Sequence, residues 1–180
     1  IEEVGYKKEA TLKDHCLFHG EYKDVIIHSK ISTKEFHLKS VKEEDAKLLF
    51  EWANDSLVRN NSFNSESIKW ENHIKWFLNK LNSSDSIIFV LYHNFIHVGQ
   101  IRLDLIDGYW EIDYSIVKEY RGKGFGEKMI QLVSEKLAKN SLLKALVKKE
   151  NIATFKIFKK LKFEENIDKE STLCYTLKIK

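Results

Sequence analysis

The residues best suited to chemistry lie in one short run of glycines and basic side chains, Tyr120-Arg121-Gly122-Lys123-Gly124-Phe125-Gly126. The preceding residues 110–117 alternate between apolar and polar, which predicts a strand. The residues that follow place apolar side chains at helical spacing as far as Leu137. A strand, a glycine turn and a helix N-terminus direct several backbone N–H groups to one point, which suits a phosphate or pyrophosphate.

The glycine spacing narrows the choice of phosphate ligand. The P-loop pattern is absent because neither Ser nor Thr follows Lys123, and the dinucleotide pattern G-x-G-x-x-G fails because Gly126 comes one residue early. Arg121, Gly124 and Gly126 instead fit R-x-x-G-x-G. This run resembles the acetyl-CoA loop of the GNAT superfamily of N-acetyltransferases, which implies acetyl-CoA as co-substrate. The alternative is a glycine-rich turn without a ligand.

The resemblance also implies how the coenzyme would be held. Backbone groups of Ile116 and Val117 would pair with the pantetheine arm as an added strand, and this strand would supply an N–H group for the thioester oxyanion. Glycine lets the backbone approach the pyrophosphate closely. The loop residues that would surround it are Arg121, Gly122, Lys123, Gly124, Phe125 and Gly126.

Composition excludes several other classes of protein. Among 180 residues the net charge is +3, with basic and acidic side chains intermixed, which argues against nucleic-acid binding. Cys16 and Cys174 form neither a metal pattern nor a disulfide framework, and none of the 7 histidines has ligand spacing, so no metal is expected. No apolar run reaches membrane length, and the first residues do not resemble a signal peptide. We therefore expect a cytoplasmic protein acting on a small molecule.

Periodicity predicts the order β-α-α-β-β-β-α-β-α-β over residues 36–180, with a further short strand near Phe163. The first helix is expected to start at residues 42–45, and the second to be capped by Ser65 or Ser67 after an irregular link. The predicted fold class is α/β (α+β), a mixed central sheet flanked by helices. This order matches the GNAT superfamily over the whole of residues 36–180.

Residues 1–35 form a separate segment at the N-terminus. Strand-like runs at 10–18 and 23–31 surround a turn at Gly20, which predicts a β-hairpin. Residues 4–12 and 20–27 resemble the closing strands of another GNAT domain, so the hairpin is interpreted as the tail of a preceding copy. The alternative is a native N-terminal hairpin. Because a lone hairpin is marginal in water, we expect it to pair with a sheet edge of its own domain or of a second copy in a homodimer.

Residues 151–163 resemble the closing helix motif of the superfamily. There an Asn contacts the coenzyme, and a Tyr seven residues later commonly protonates the leaving thiolate; these positions hold Asn151 and Phe158. Phe158 has no hydroxyl, so it can touch the coenzyme but cannot be a general acid. Tyr175 and Tyr114 are candidate replacements; otherwise water protonates the sulfur or the thiolate leaves unaided. Asn151 is alternatively a helix N-cap, and Lys162 occupies a position where the family usually has Gly.

Glu111, on the strand before the loop, is the candidate general base. A carboxylate there could accept a proton from an amine, directly or through water, if burial raised its pKa. Asp113 shares its face of the strand, so the two acids could together face a cationic amine. The alternative is a strand charge that faces solvent.

The acceptor pocket is predicted from the run W-x-N-D-x-x-V-R at residues 52–59. With H-I-K-W-F at 73–77 and V-G-Q-I-R at 98–102, it resembles the N-acetyltransferases of nonulosonic-acid (pseudaminic-acid) pathways. Those enzymes acetylate the 4-amino group of a UDP-linked deoxy sugar. Guanidinium groups could meet the diphosphate and aromatic rings could stack on the sugar or base; alternatively, the tryptophans are core residues and the arginines form surface ion pairs. The candidate acceptor residues are Trp52, Asn54, Arg59, Asn60, Phe63, Trp76 and Arg102.

Together these observations predict N-acetylation of a primary amine, with both substrates bound at once and direct attack on the thioester. Two enzyme alternatives are a protein N-terminal acetyltransferase of the ribosomal-protein type and a polyamine acetyltransferase. An acidic pocket would favour a polyamine, whereas an Arg-lined pocket would favour a nucleotide sugar. The non-enzyme alternative is an acyl-CoA-binding module without turnover.

Overall fold

A computed structural model describes residues 6–29, 36–169 and 172–180. The chain divides into two compact units, Ile1–Glu35 and Phe36–Lys180. Among the described residues, no helix has the length and apolar character needed to cross a membrane.

The first unit is an antiparallel hairpin of β1 (Lys7–Phe18) and β2 (Glu21–Ser29). His19 and Gly20 form its turn with φ of +51° and +82°, the left-handed pair that matches the twist of a two-residue hairpin. The predicted hairpin is therefore confirmed, although the expected end of its second strand near Ile31 lies outside the described residues. Its origin in a preceding domain, and its pairing with another sheet edge, stay predictions.

The second unit is built on a seven-stranded sheet in the order β3-β4-β5-β6-β7-β9-β8. Its neighbouring strands run antiparallel except β6 and β7, which run parallel. The mixed sheet predicted from the sequence is thus confirmed, and the short strand expected near Phe163 starts one residue later. The strands are β3 (Phe36–Ser40), β4 (Ser86–His93), β5 (Ile96–Ile106), β6 (Tyr109–Ile116), β7 (Leu142–Lys148), β8 (Glu164–Lys169) and β9 (Thr172–Lys178).

Helices cover both faces of this sheet. One face packs on α4 (Phe125–Ser134) and α5 (Ile152–Lys160) through a core that includes Met129 and Phe158. The other packs on α1 (Ala46–Ala53) and α3 (Trp70–Leu81) through a smaller core around Leu49 and Phe77. A single 3-10 turn, Glu43–Asp45, precedes the first helix. The helices are α1 (Ala46–Ala53), α2 (Ser56–Asn61), α3 (Trp70–Leu81), α4 (Phe125–Ser134) and α5 (Ile152–Lys160).

The link between the first helices differs from the prediction, because it contains the short helix α2. Asp55 caps this helix: its Oδ1 accepts hydrogen bonds from the N–H groups of Leu57 and Val58 at 3.0 and 3.1 Å. Neither Ser65 nor Ser67 caps the next helix, which begins only after Lys69. A side chain from the end of the first helix fixes the intervening segment instead, as described for Asn54 below.

The end of α5 explains one departure from the family pattern. Lys162 has φ of +61°, a left-handed conformation that glycine adopts at lower cost. The N–H of Phe163 donates to the carbonyl of Phe158 and that of Lys162 to the carbonyl of Lys159, which is the Schellman arrangement. The family usually has Gly at this position because the helix end requires a left-handed backbone conformation. Lys162 adopts the same conformation, but with strain.

Candidate active site

The site is built around a parting of two strands. Strands β6 and β7 pair only at Tyr109–Leu142, Trp110–Leu143 and Glu111–Lys144. Both strands continue, as far as Ile116 and Lys148, but no later pair joins them in the described part of the chain. A cleft of about 790 Å³ opens there, lined by both strands, by α2, by the glycine loop and by α5.

The backbone of β6 presents alternate residues to this cleft. The N–H of Val117 donates to the carbonyl of Val98 on β5, and antiparallel pairing alternates, so the backbone groups of Ile112, Tyr114 and Ile116 point away from β5. Past Glu111 that side of β6 has no strand partner among the described residues.

Of the two residues expected to hold the pantetheine arm, this geometry is compatible with Ile116 and not with Val117. The N–H and carbonyl of Val117 are both already used, in bonds with Val98 and Tyr120, so its backbone cannot act as a free strand edge. The carbonyl of Ile116 accepts a bond from Arg121 at 2.9 Å, which leaves its N–H directed to the cleft. Tyr114, which the sequence reading did not propose for this purpose, presents both backbone groups.

The glycine loop has the geometry that a pyrophosphate requires. Gly122 and Gly124 have φ of +74° and +81°, with open space where a Cβ would lie. Helix α4 begins directly after Gly124, so its first N–H groups have no side-chain cap. Gly126 lets the helix approach the sheet, since a Cβ there would lie 3.1 Å from Tyr114. The loop therefore fits a phosphate group held by backbone amides.

Two side chains of the loop have other contacts. Phe125 packs against Phe36 and Tyr120, with ring centroids 5.0 and 5.8 Å apart, and so fixes the start of α4 on the sheet. The Lys123 ammonium lies 5.4 Å from the ring centroid of Tyr120 and remains exposed.

The guanidinium of Arg121 is bonded to two other groups of the protein. Its Nη2 donates to Oδ1 of Asp55 at 2.6 Å, in addition to the Nε bond to the carbonyl of Ile116. Burial alone would raise the pKa of Asp55, but the hydrogen bond and charge of Arg121, with the N–H groups of α2, outweigh burial and lower that pKa. The carboxyl group of Asp55 is therefore ionised at neutral pH.

A hydroxyl pair lies near Phe158, the position that commonly holds the acid in the family that the sequence resembles. Phe158 is buried in a stack of aromatic rings, 5.2 Å from Tyr175 and 4.6 Å from Phe163 between centroids. The Tyr114 hydroxyl lies 3.1 Å from Oγ1 of Thr154, and both residues line the cleft. Burial raises the pKa of Tyr114 to about 12, only partly opposed by Thr154, so the phenol stays protonated.

Tyr175, the other candidate acid, is placed differently. It is 1% exposed, it is not among the residues that line the cleft, and its hydroxyl donates to Glu165 at 3.0 Å. Burial, the hydrogen bond and the negative charge of Glu165 all raise its pKa, to about 12. The geometry therefore favours Tyr114 over Tyr175 as the hydroxyl near the reacting atoms.

Asn151 is a helix N-cap, as the alternative to coenzyme binding predicted. Its Oδ1 accepts a hydrogen bond from the N–H of Thr154 at 3.2 Å at the start of α5. It also lines the cleft, which leaves its amide nitrogen as a donor for a ligand.

The opposite end of the cleft carries mixed charges. Glu111 and Asp113 line it together with Arg102. The guanidinium of Arg102 donates to Asp104 at 2.7 Å and to Asp113 at 3.0 Å, and lies 5.1 Å from the ring centroid of Trp76. The charge of Arg102 is therefore neutralised by two carboxylates, whereas the sequence predicted that it would bind the diphosphate of the acceptor.

Most of the other predicted acceptor residues serve the local structure. Asn54 accepts from the N–H of Ile68 at 2.8 Å and donates to its carbonyl at 3.1 Å, which fixes the segment before α3. Arg59 donates to Ser62 at 2.9 Å and to carbonyls of the same segment. Of the candidate set only Phe63 and Arg102 line the cleft; those that do not are Trp52, Asn54, Arg59, Asn60 and Trp76.

The structure adds cleft-lining residues that the sequence did not indicate. Ser115 lies beside Asp113 with its Oγ buried and without a hydrogen-bond partner among the described residues. Asp55 is a residue type that commonly caps helices, and it was the one sequence signal that could have predicted helix α2. Residues of this helix line the cleft. The missed lining residues on and after that helix are Leu57, Val58, Asn61 and Ser62.

Comparison with known proteins identifies the family to which the chain belongs. The family model described as an acetyltransferase (GNAT) domain matches residues 35–164. No curated protein matches the sequence at a significant level. The chain belongs to the GNAT family and is an acetyltransferase that uses acetyl-CoA.

Solved structures share the fold at low sequence identity. RimL, a ribosomal L7/L12 α-N-protein acetyltransferase in complex with coenzyme A, is 11% identical with a TM-score of 0.71, over 82% of this chain and 96% of that one. Spermidine N-acetyltransferase from Vibrio cholerae, with coenzyme A and spermine, is 14% identical with a TM-score of 0.71, over 82% and 97%. Aminoglycoside acetyltransferase AAC(6')-Ib is 17% identical with a TM-score of 0.67, over 79% and 94%. These likenesses establish the fold, and the named acceptors differ among them.

Proposed function

We propose that this chain transfers the acetyl group of acetyl-CoA to a primary amine of a small molecule, with a UDP-linked 4-amino-deoxy sugar as the first acceptor to test. The observation that carries the proposal is the single cleft between the parted strands β6 and β7. It joins an uncapped, glycine-lined helix N-terminus to a polar end that contains Glu111 and Asp113. A donor and an acceptor can therefore meet in one cavity.

The donor would be held mainly by backbone. The amides of the loop from Gly122 to Gly126 suit the pyrophosphate, and the cleft-facing backbone of Tyr114 and Ile116 suits the amides of the pantetheine arm. Asn151 contributes its side-chain amide. Acetyl-CoA supplies an acetyl group already activated as a thioester, so the protein needs no nucleophile of its own.

The acceptor amine must lose a proton in order to attack. Glu111 is the proposed general base because it lies at the last paired residue of β6, where the cleft begins, and lines the cavity. The N–H of Tyr114 is the proposed donor to the oxygen that becomes negative during attack, which leaves the N–H of Ile116, nearer the loop, for the pantetheine arm. Tyr114 is the proposed hydrogen-bond donor to the departing sulfur. Its pKa of about 12 exceeds that of an alkyl thiol, about 8.5, so it donates a hydrogen bond rather than the proton itself.

Two features of the acceptor end support an amino sugar. Phe63 is 61% exposed and offers an apolar face for a sugar ring. Asn61 and Ser62 offer an amide and a hydroxyl group suited to sugar hydroxyls. The sequence run at residues 52–63 favours the nucleotide-linked class.

A polyamine is the second candidate, favoured by the charges. The carboxylates of Glu111 and Asp113 line this end of the cleft with one cation, Arg102, which is bonded to Asp113 and to Asp104. An excess of carboxylate attracts a polycation and offers little to a diphosphate.

Coenzyme A release, followed with a thiol reagent, would test the proposal against a panel of acceptors. The panel contains a UDP-4-amino-deoxy sugar, the same sugar with its amine already acetylated, spermidine, an aminoglycoside and a peptide with a free N-terminus. We expect release with the free amino sugar and none with its acetylated form. Release with no member of the panel, despite binding of acetyl-CoA, would favour a binding module without turnover.

Asp113→Asn separates the two small-molecule candidates. Loss of this carboxylate should lower kcat/KM for spermidine about tenfold, the equivalent of one charged contact of about 1.4 kcal/mol. For the nucleotide sugar it should leave kcat/KM unchanged or raise it, because Arg102 loses one of its two neutralising partners.

A further inference from the structure

Helix α2 is tied at both ends to the two strands that part. At its N-terminus, Asp55 bonds to Arg121, which follows β6. At its C-terminus, the Nζ of Lys148, the last residue of β7, donates to the carbonyl of Asn60 at 3.0 Å. The helix therefore spans the opening at which the cleft begins, and Leu57 on it lines the cavity.

One carboxylate oxygen connects the coenzyme loop to this helix. Oδ1 of Asp55 accepts from the N–H groups of Leu57 and Val58 and also from Arg121. The two charged side chains are only 22% and 25% exposed, so water screens the pair weakly. The Nε of Arg121 is fixed at the same time by the carbonyl of Ile116. This double attachment leaves the guanidinium in one orientation, towards α2.

We infer that Arg121 is a positioning residue for the acceptor side of the site rather than a ligand of the pyrophosphate. It holds α2 over the parted strands, and thereby holds Leu57, Val58 and Asn61 against the acceptor. This role rests on the proposed function in that α2 is taken to line the acceptor end. Because the same arginine begins the glycine loop, one ion pair anchors the acceptor wall to the coenzyme end of the cleft.

Calorimetric titration with coenzyme A distinguishes a positioning role from phosphate binding without any acceptor. If Arg121 positions α2, Arg121→Gln and Asp55→Asn should each leave the Kd for coenzyme A within about threefold of wild type, less than one charged contact. If Arg121 is a phosphate ligand, Arg121→Gln should weaken binding tenfold or more, and Asp55→Asn should tighten it by releasing the guanidinium. Lys123→Gln is the matched control, since it removes an exposed cation from the same loop.

Kinetics with the acceptor identified by the panel supply the second readout. Arg121→Gln and Asp55→Asn should each raise KM for the acceptor at least fivefold while kcat changes less than twofold. The double variant should be no worse than either single one, because both remove the same bond. Arg121→Lys, which keeps a charge that can reach Asp55, should recover part of the loss. An unchanged acceptor KM in Arg121→Gln would overturn the inference.

Hydrogen exchange tests the structural step even if no acceptor is turned over. Exchange at the amides of residues 56–61 should accelerate equally in Arg121→Gln and Asp55→Asn, and also in Lys148→Met, which releases the other end of the helix. Unchanged exchange in all three variants would show that these bonds do not hold α2. Failure of the acceptor panel with accelerated exchange would count against the proposed acceptors and not against the bridge.

Discussion

Replacement of Tyr114 by Phe tests the proposed chemistry at the sulfur most directly. The change removes one hydroxyl, which lies 3.1 Å from Thr154 in the cleft, and leaves the ring in place against Gly126. A neutral hydrogen bond of this kind contributes about 1 kcal/mol to stability. In a domain of this size, 1 kcal/mol corresponds to a change in Tm of about 2–4 °C.

The effect on turnover should be larger than the effect on folding. A hydrogen bond to a group that becomes charged is worth about 1.5–3 kcal/mol. At about 1.4 kcal/mol for each factor of ten, its loss from the transition state lowers kcat about 10- to 150-fold. The acceptor KM should change little, because the hydroxyl acts on the departing thiolate and not on the amine.

Tyr175→Phe is the matched control for this prediction. It removes the same atom from a residue that is 1% exposed and whose hydroxyl donates to Glu165, away from the cleft lining. It should cost more stability, about 1.5–3 kcal/mol, because its hydroxyl donates to a carboxylate, but leave kcat within about twofold. Rates of coenzyme A release and thermal melts would be measured for both variants. If Tyr114→Phe kept half or more of the wild-type kcat, or if Tyr175→Phe lost as much, the assignment would be refuted.

Three further predictions concern stability and pH. Gly99→Ala should destabilise the fold by about 3 kcal/mol, seen as a lower urea midpoint, because its Cβ would lie 2.5 Å from the carbonyl oxygen of Ser115; an unchanged midpoint would contradict the packing. Lys162→Gly should raise Tm by about 2–4 °C by relieving a φ of +61°, and a lower Tm would show that the lysine side chain matters more. The pKa of Tyr114 and of Tyr175 rises from 10.0 to about 12 on folding, so the folded state binds protons more tightly than the unfolded state between these values. This contribution is complete below pH 10 and is lost as pH rises through 12; urea midpoints from pH 9 to 11 should therefore fall more steeply in wild type than in the variant with both tyrosines replaced by Phe.

The donor half of the site could be predicted from the sequence because its recognition is local. Gly122 and Gly124 lie within one turn, and the phosphate geometry depends on backbone torsions and a helix start that adjacent residues determine. The strand before the loop and the helix after it were equally clear from their periodicity. The glycine loop with this strand and this helix led to the prediction of the GNAT family, and the matching family model confirms it.

The other end of the cleft, proposed here to bind the acceptor, depended on contacts between residues far apart in the chain. Arg121 reads in the sequence as a cation beside glycines, but it is bonded to Asp55, 66 positions earlier. Arg102 reads as a free guanidinium, but strand pairing places it opposite Asp113 on β6. The charge of a side chain shows which kinds of group it can bind. Only the fold determines which of these groups lies within bonding distance.

The sequence by itself therefore determined the class of fold, the order of its strands and helices and the position of the glycine loop between a strand and a helix. Only the tertiary structure decided that β6 and β7 part after Glu111, that a short helix spans the gap, and that Tyr114 rather than Tyr175 lines the cleft. The physical reason is the range of the interactions. Backbone torsion and periodicity act over a few residues, whereas the parting of the strands and the pairing of Tyr114 with Thr154, 40 positions later, exist only once the sheet has formed.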